Sequence, residues 1–411
     1  MIVQSSSSET EGAVVPAKGS AGEVFAAFLK LGLTSFGGPI AHLGYFRAEL
    51  VNRRRWVNEA TYADLVALCQ FLPGPASSQV GFALGLMRAG PLGALAAWLA
   101  FTLPSAILMV IFAFGAASLQ GPLMSGLIHG LKLVAVAVVA QAVLGMARSL
   151  TPDARRAGIA LLALVVATLV AGGLGQGLAI VAAGLAGLVL CRDGEAAPDS
   201  HLPTRIHRSA GFLALGAYAV LLIGLPWVAT VTRSSALMAF NAFYRSGALV
   251  FGGGHVVLPL LRAAVVDPGW VTPDAFVTGY GAAQAVPGPL FSFSAYLGTI
   301  INLQPNGVPG AALALVAIFL PGLLLVVGVL PLWDGLRRYG AARAAMCGVN
   351  AGVVGILAAA LYDPVWTSAV QGPRDFAVAA AGFIALVGFR APPWAVVLLL
   401  GAAGIVLGLV G

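Results

Sequence analysis

A chain of 411 residues with 59% hydrophobic residues, 9% charged ones and a mean hydropathy of +0.95 cannot keep its surface in water, so the bilayer is its solvent. The net charge of +7 does not mark a nucleic-acid partner, because the 22 Lys and Arg residues are scattered through loops between apolar stretches. Cys69, Cys191 and Cys347 lack metal or disulfide spacing, and no metal cluster, cofactor motif, Walker phosphate loop or supported Ser–His–Asp set occurs, so an enzyme is not expected and gradients must supply any energy.

Residues 1–22 have no signal-peptide pattern and read as a disordered cytoplasmic tail. Thirteen apolar segments follow: 24–46, 62–87, 91–117, 124–147, 157–173, 175–191, 210–230, 236–261, 275–301, 309–332, 341–361, 374–389 and 393–410. They divide into a first transporter repeat (23–191), a polar linker with a linking helix (192–235) and a second repeat (236–411). If every segment crosses, thirteen Lys and Arg fall on the N-terminal side and six on the other, which places the N-terminus in the cytoplasm and the C-terminus outside. Arg53-Arg54-Arg55 dissents: either it gathers anions by its field, or the first segment does not fully cross.

The division rests on a repeat. Residues 28–42, FLKLGLTSFGGPIAH, return as FYRSGALVFGGGHVV at 243–257, so that Lys30 matches Arg245 and Phe36-Gly37-Gly38-Pro39 matches Phe251-Gly252-Gly253-Gly254 at an offset of 215. At 214, Trp56 matches Trp270, Gln70 matches Gln284, and Pro73-Gly74-Pro75 matches Pro287-Gly288-Pro289. At 217, Gly93 matches Gly310 and Pro104 matches Pro321. Seven segments from one copy's start to the next is an odd number, so the halves are expected to be inverted; a broken segment that is re-entrant would void this count. The fold expected is an all-α polytopic membrane protein with two inverted-topology repeats.

The repeated motifs interrupt apolar segments. Glycine weakens a helix and proline cannot continue one but opens one well, so each segment is expected to stop near Phe36 or Phe251 and restart near Pro39 or Gly254. The prolines around Gly74 and Gly288 demand the same. A restarted helix offers unpaired N–H groups and a positive dipole end, which suits an anion. Ser77 and Ser78 after one break, Ser292 after the other, and Gln70 and Gln284 before them are candidate uncharged donors. Lys30 and Arg245 are candidate charges that balance or attract the anion, unless they reach to an interface. His255, matched by Ile40, is a candidate ligand or proton-coupling group, with a structural role equally open.

FLKLGLTSFGGPIAHLGYFRAEL, RRWVNEATYADLVALCQFLPGPASSQVGFALGLMRAGPLGALAAWLAFTLPS, FGGGHVVLPLL and GWVTPDAFVTGYGAAQAVPGP resemble the two domains of the chromate ion transporter family, most clearly over 24–150 and 240–360. The resemblance implies an inner-membrane protein that expels chromate, a tetrahedral oxyanion, and confers chromate resistance, with sulfate chemically similar. An inward sulfate or oxyanion permease and an anion channel stay open, as does a homodimer. No cofactor is expected, and the partners are the oxyanion and the lipid bilayer. Gly254 in place of Pro39, and Ala285-Val286 in place of Phe71-Leu72, make the two halves inequivalent in binding.

Overall fold

The structure, a computed structural model, describes residues 19–118, 121–170, 172–191, 206–251, 254–336 and 339–410. The expected tail to residue 18, the linker residues 192–205, Gly252, Gly253, Arg337, Arg338 and Gly411 lie outside the described residues. Every regular element among the described residues is helical.

Helix α1 (Ala21–Thr34), capped by the Ser20 hydroxyl, stops at Ser35. Gly37 turns left-handed (φ 97°), a conformation that costs glycine little, and α2 (Gly38–Phe46) restarts with Pro39 in its first turn before widening into a π-wound stretch, Arg47–Arg53. α3 (Glu59–Phe71) ends at Leu72, and α4 (Ala76–Ser118) starts after Pro75. α4 is two arms: Ala89 and Gly90 leave helical geometry, and Gly93 packs its backbone on Gly85, so the second arm runs back along the first. α5 (Pro122–Leu150), α6 (Ala154–Leu169) and α7 (Gly172–Leu190) complete this copy, and α8 (Arg208–Thr232) links it to the next.

The second copy repeats the order: α9 (Ser235–Ala248), α10 (Val257–Leu261) with a π-wound Arg262–Val266, α11 (Pro273–Ala283), α12 (Phe293–Ile300) and α13 (Gly307–Val329). α14 (Trp333–Leu336), α15 (Gly340–Ala360), α16 (Thr367–Ala369), α17 (Pro373–Val387) and α18 (Pro393–Val410) follow.

Side-chain pairs show where the chain goes after each break. α1 and α2 lie antiparallel: Lys30 pairs with Glu49 (3.3 Å), Phe28 meets Phe46 edge-on (5.5 Å), and Trp56 Nε1 donates to Glu23 (3.1 Å). α2 therefore returns to the face from which α1 entered. α3 leaves from that face, with Arg47 on Glu59 (2.7 Å) and the Tyr62 hydroxyl donating to the Leu43 carbonyl (2.6 Å). The first arm of α4 comes back to it and sets Arg88 on Glu23 (3.0 Å). Length explains the return: the 13 residues of α3 rise about 20 Å, short of an apolar core about 30 Å thick. In the second copy the Asn302 N–H reaches the Trp270 carbonyl (2.9 Å), the Tyr296 hydroxyl reaches the Ala275 carbonyl (3.0 Å), and Gly310 packs on Gly298. Segments 24–46, 62–87, 236–261 and 275–301 are thus re-entrant hairpins, and five helices among the described residues are long and apolar enough to cross.

The hairpin pairs enter from opposite faces. The second arm of α4 and α13 run antiparallel, with Trp98 against Phe319 (5.8 Å) and Gly307 beside Phe114. These two helices occupy matched positions of the repeat yet run opposite ways, so the repeats are inverted. Arg53, Arg54 and Arg55, which a count of thirteen crossings puts opposite the N-terminus, lie instead on its face, with Trp56 against Arg88. Arg262 moves the other way. Outside the hairpins the copies exchange helices: α5 packs against α17 and α18, and α15 against α6 and α7.

Candidate functional site

The four hairpin arms that restart do so at one junction in the middle of the molecule. The Gly74 N–H donates to the Val250 carbonyl (2.7 Å), and the Gly288 N–H donates to the Ser35 carbonyl (2.9 Å), so each Pro-Gly-Pro turn is tied to the glycine break of the other copy. Both glycines are left-handed (φ 127° and 104°), and little space is left for a side chain: a Cβ on Gly288 would lie 3.0 Å from Ser105 Oγ, and one on Gly74 3.2 Å from the Gly322 Cα. Pro39 packs on Gly254, and His255, whose Nδ1 hydrogen-bonds the Tyr280 hydroxyl (2.6 Å), turns its Nε2 toward Gly38.

Polar side chains cluster on the first copy's side of the junction. His42 Nδ1 hydrogen-bonds Ser77 Oγ (3.3 Å). Gln79 Nε2 donates to the Pro73 carbonyl (2.9 Å) and to the Gly322 carbonyl of α13 (3.1 Å). Ser105 donates to the Thr102 carbonyl (2.9 Å). Five buried polar atoms remain without a protein partner: Ser35 Oγ, His42 Nε2, Ser78 Oγ, Gln79 Oε1 and Thr102 Oγ1; Ser294 Oγ joins them from the second copy. Each such atom left dry costs about 1–3 kcal/mol, so the five together rival the about 5–15 kcal/mol by which a whole protein is stable. That cost is relieved when water or a ligand fills the space. The first turns of α2 and α4 open here as well and supply N–H groups and positive dipole ends.

Of the residues expected to form the site, Gly37, Gly38, Pro39, Pro73, Gly74, Pro75, Ser77 and Ser78 do gather at the junction, with Gly254, His255, Pro287, Gly288, Pro289 and Ser292 facing them from the second copy. Phe36 and Phe251 are half-buried at its edge. Four residues are not brought in. Gln70 is exposed on α3, and Gln284 turns back to donate to the Tyr280 carbonyl (3.4 Å). Lys30 is half exposed and committed to Glu49, which Arg53 and Arg54 also hold; burial pushes that carboxyl up, but these three cations outweigh it and hold it at about 2. Arg245 faces a separate cavity. The sequence reading left out Ser35, Thr102 and Ser105. A polar residue set against an apolar one at the matched position was the available signal: Val250, Phe319 and Gly322 stand there in the second copy. Lys132 on Asp274 (2.9 Å) and His129 on Asp375 (2.7 Å) are paired away from the junction.

Comparison with known proteins agrees with this architecture. The family model described as "Chromate transporter" matches twice, over residues 22–188 and 237–405, the two inverted halves. A "Chromate transport protein" of Pseudomonas aeruginosa is 28% identical over 393 residues, covering 94% of this chain and 92% of that protein. A "Probable chromate transport protein" of Synechococcus elongatus is 30% identical over 393 residues (92% and 93%), and a "Chromate transport protein" of Cupriavidus metallidurans 27% over 349 (84% and 83%). No solved structure matches the chain significantly. With both halves matched and the inverted hairpins in place, this multi-pass membrane protein belongs to the chromate transporter family.

Proposed function

We propose that this chain is a secondary active transporter that exports chromate from the cytoplasm through the inner membrane, and that the oxyanion binds at the junction of the re-entrant hairpins. The observation that carries this reading is the group of four buried side-chain atoms that can donate and have no protein partner (Ser35 Oγ, His42 Nε2, Ser78 Oγ and Thr102 Oγ1) around the open ends of α2 and α4. A tetrahedral dianion offers many acceptor lone pairs to hydroxyls, imidazole N–H and backbone N–H groups, and a desolvated dianion needs such donors. Gln79, whose amide N–H groups are spent on the Pro73 and Gly322 carbonyls, holds the surrounding elements in place. The relatives' names supply the choice of chromate.

Hairpins that enter from opposite faces and meet at one point give two ways out of one site, the arrangement that alternating access requires. Among the described cations near the segment ends, eleven lie on the face where α1 begins (Arg47, Arg53, Arg54, Arg55, Arg88, Arg148, Arg155, Arg156, Arg208, Arg343, Arg390) against three on the other (Arg233, Arg262, Arg374), which supports a cytoplasmic N-terminus. No step calls for covalent chemistry. The test is uptake of labelled chromate into inverted vesicles: saturable, gradient-driven accumulation competed by sulfate is expected. Flux only down the anion's own gradient would mark a channel, and accumulation only in right-side-out vesicles would mark an inward sulfate-type permease.

A further inference from the structure

A cavity of ≈ 670 Å³ opens where the start of the second repeat meets α7 and α8, between those helices, α9 and the π-wound stretch after α10. It carries two guanidinium groups, Arg233 at the α8–α9 corner and Arg245 on α9, and it reaches Leu249, the residue before Val250 at the junction. Arg233 and Arg245 are exposed, and neither has an acidic partner among the described residues. Two buried amide oxygens beside them, Asn241 Oδ1 and Gln176 Oε1, also lack partners; Gln176 Nε2 is held by the Pro259 carbonyl (2.8 Å).

The first repeat explains why this matters. Lys30, the counterpart of Arg245, is neutralised by Glu49, whose counterpart at an offset of 215 is Ala264, and Ala264 lines the cavity. The acid that quenches one repeat's cation is missing from the other.

We infer that the Arg233–Arg245 cavity is a second oxyanion-binding site, a vestibule on the face from which the second pair of hairpins enters. It rests on the reading of the junction as an oxyanion site only for its role in transport. Two unpaired guanidiniums suit a tetrahedral dianion, and lone amide oxygens suit the water that it still carries. The chemistry fits free sulfate or chromate, and it also fits the phosphate of an anionic lipid.

Equilibrium binding of labelled sulfate to the purified full chain in nanodiscs tests this, with bound phospholipid counted on the same samples. Two sulfates per chain are expected, one held more weakly and more salt-sensitive. Arg245→Ala and Ala264→Glu should each remove the weaker one and leave the tighter one, whereas Gln79→Leu should remove the tighter one alone. Ala264→Glu rebuilds the pairing of the first repeat without deleting a cation, so its effect is one of charge. If instead one anionic lipid per chain is retained, and Arg245→Ala and Ala264→Glu both release it, the oxyanion bound there is a lipid phosphate. The inference is overturned if neither variant changes sulfate stoichiometry or lipid retention. Loss of the tighter site in wild type would overturn the junction reading and leave this one standing.

Discussion

The two repeats share a backbone and differ in chemistry. Around the first break stand Ser35, His42, Ser77, Gln79 and Thr102; at the matched positions around the second stand Val250, Val257, Phe291, Phe293 and Phe319, all buried in the apolar core. Matched backbone features are kept: Gly32 and Gly247 each lie under a carbonyl of the long helix beside them, at Ala100 and Ile318, and Gly74 and Gly288 make the same cross-repeat bond. Inversion thus supplies two hairpin pairs of one shape, while substitution has lined one with polar side chains and the other with packed apolar ones.

The comparison breaks most readily at the glycines. Gly247→Ala puts a methyl group into the Ile318 carbonyl, backbone against backbone, and overpacking of this kind costs about 1–3 kcal/mol or more. Gly247→Ala and Gly32→Ala should both lower yield and thermal midpoint in a detergent-solubilised melt; an unaffected melt would mean that the helices are not in contact there. Next comes the polar side: Gln79→Leu removes two hydrogen bonds to carbonyls and should reduce vesicle transport about tenfold or more with insertion intact. The swap in the other direction sharpens the contrast. Phe319→Thr buries an unpaired hydroxyl and opens a cavity, so it should cost about 3 kcal/mol of stability and give no gain in transport. Smallest is Lys30→Ala, which removes one of three cations around Glu49 at a half-exposed pair and should leave transport within about twofold.

The pH dependence of that cluster has a definite sign. The Glu49 carboxyl is depressed in the folded protein, so its contribution is complete above the ordinary carboxylate range and is lost progressively as pH falls from that range through about 2. Glu49→Gln should therefore lower the melting midpoint by the same amount at pH about 7 and pH about 5. A difference that shrinks over that range would show the carboxyl titrating higher.

The breaks were legible because glycine and proline act on the backbone wherever they stand, and doubling excluded chance. Direction after a break was not. A helix that restarts at Pro39 goes onward or back according to what it packs against, and the pairs that decide it, Lys30 with Glu49 and Trp56 with Glu23, join residues 19 and 33 positions apart. Arg53-Arg54-Arg55 held the hint, since a basic run on the wrong side of a crossing is relieved if there is no crossing. Gln70 and Lys30 misled because repetition marks a shared backbone environment, and a matched position is free to serve packing in one copy and solvent in the other. Ser35, Thr102 and Ser105 drew no attention as single polar residues; only their apolar counterparts give them meaning.

The exchange of α5 and α15 between the halves bears on how the chain is made. α5 is synthesised well before its partners α17 and α18, and α15 arrives long after α6 and α7, which it covers. The Gly74 N–H likewise waits at membrane depth for the Val250 carbonyl. Neither half finishes alone, so ribosomes stalled after the first repeat would expose a nascent protein that quality-control proteases can see, and a gene cut at the linker would work only where both products meet in one bilayer.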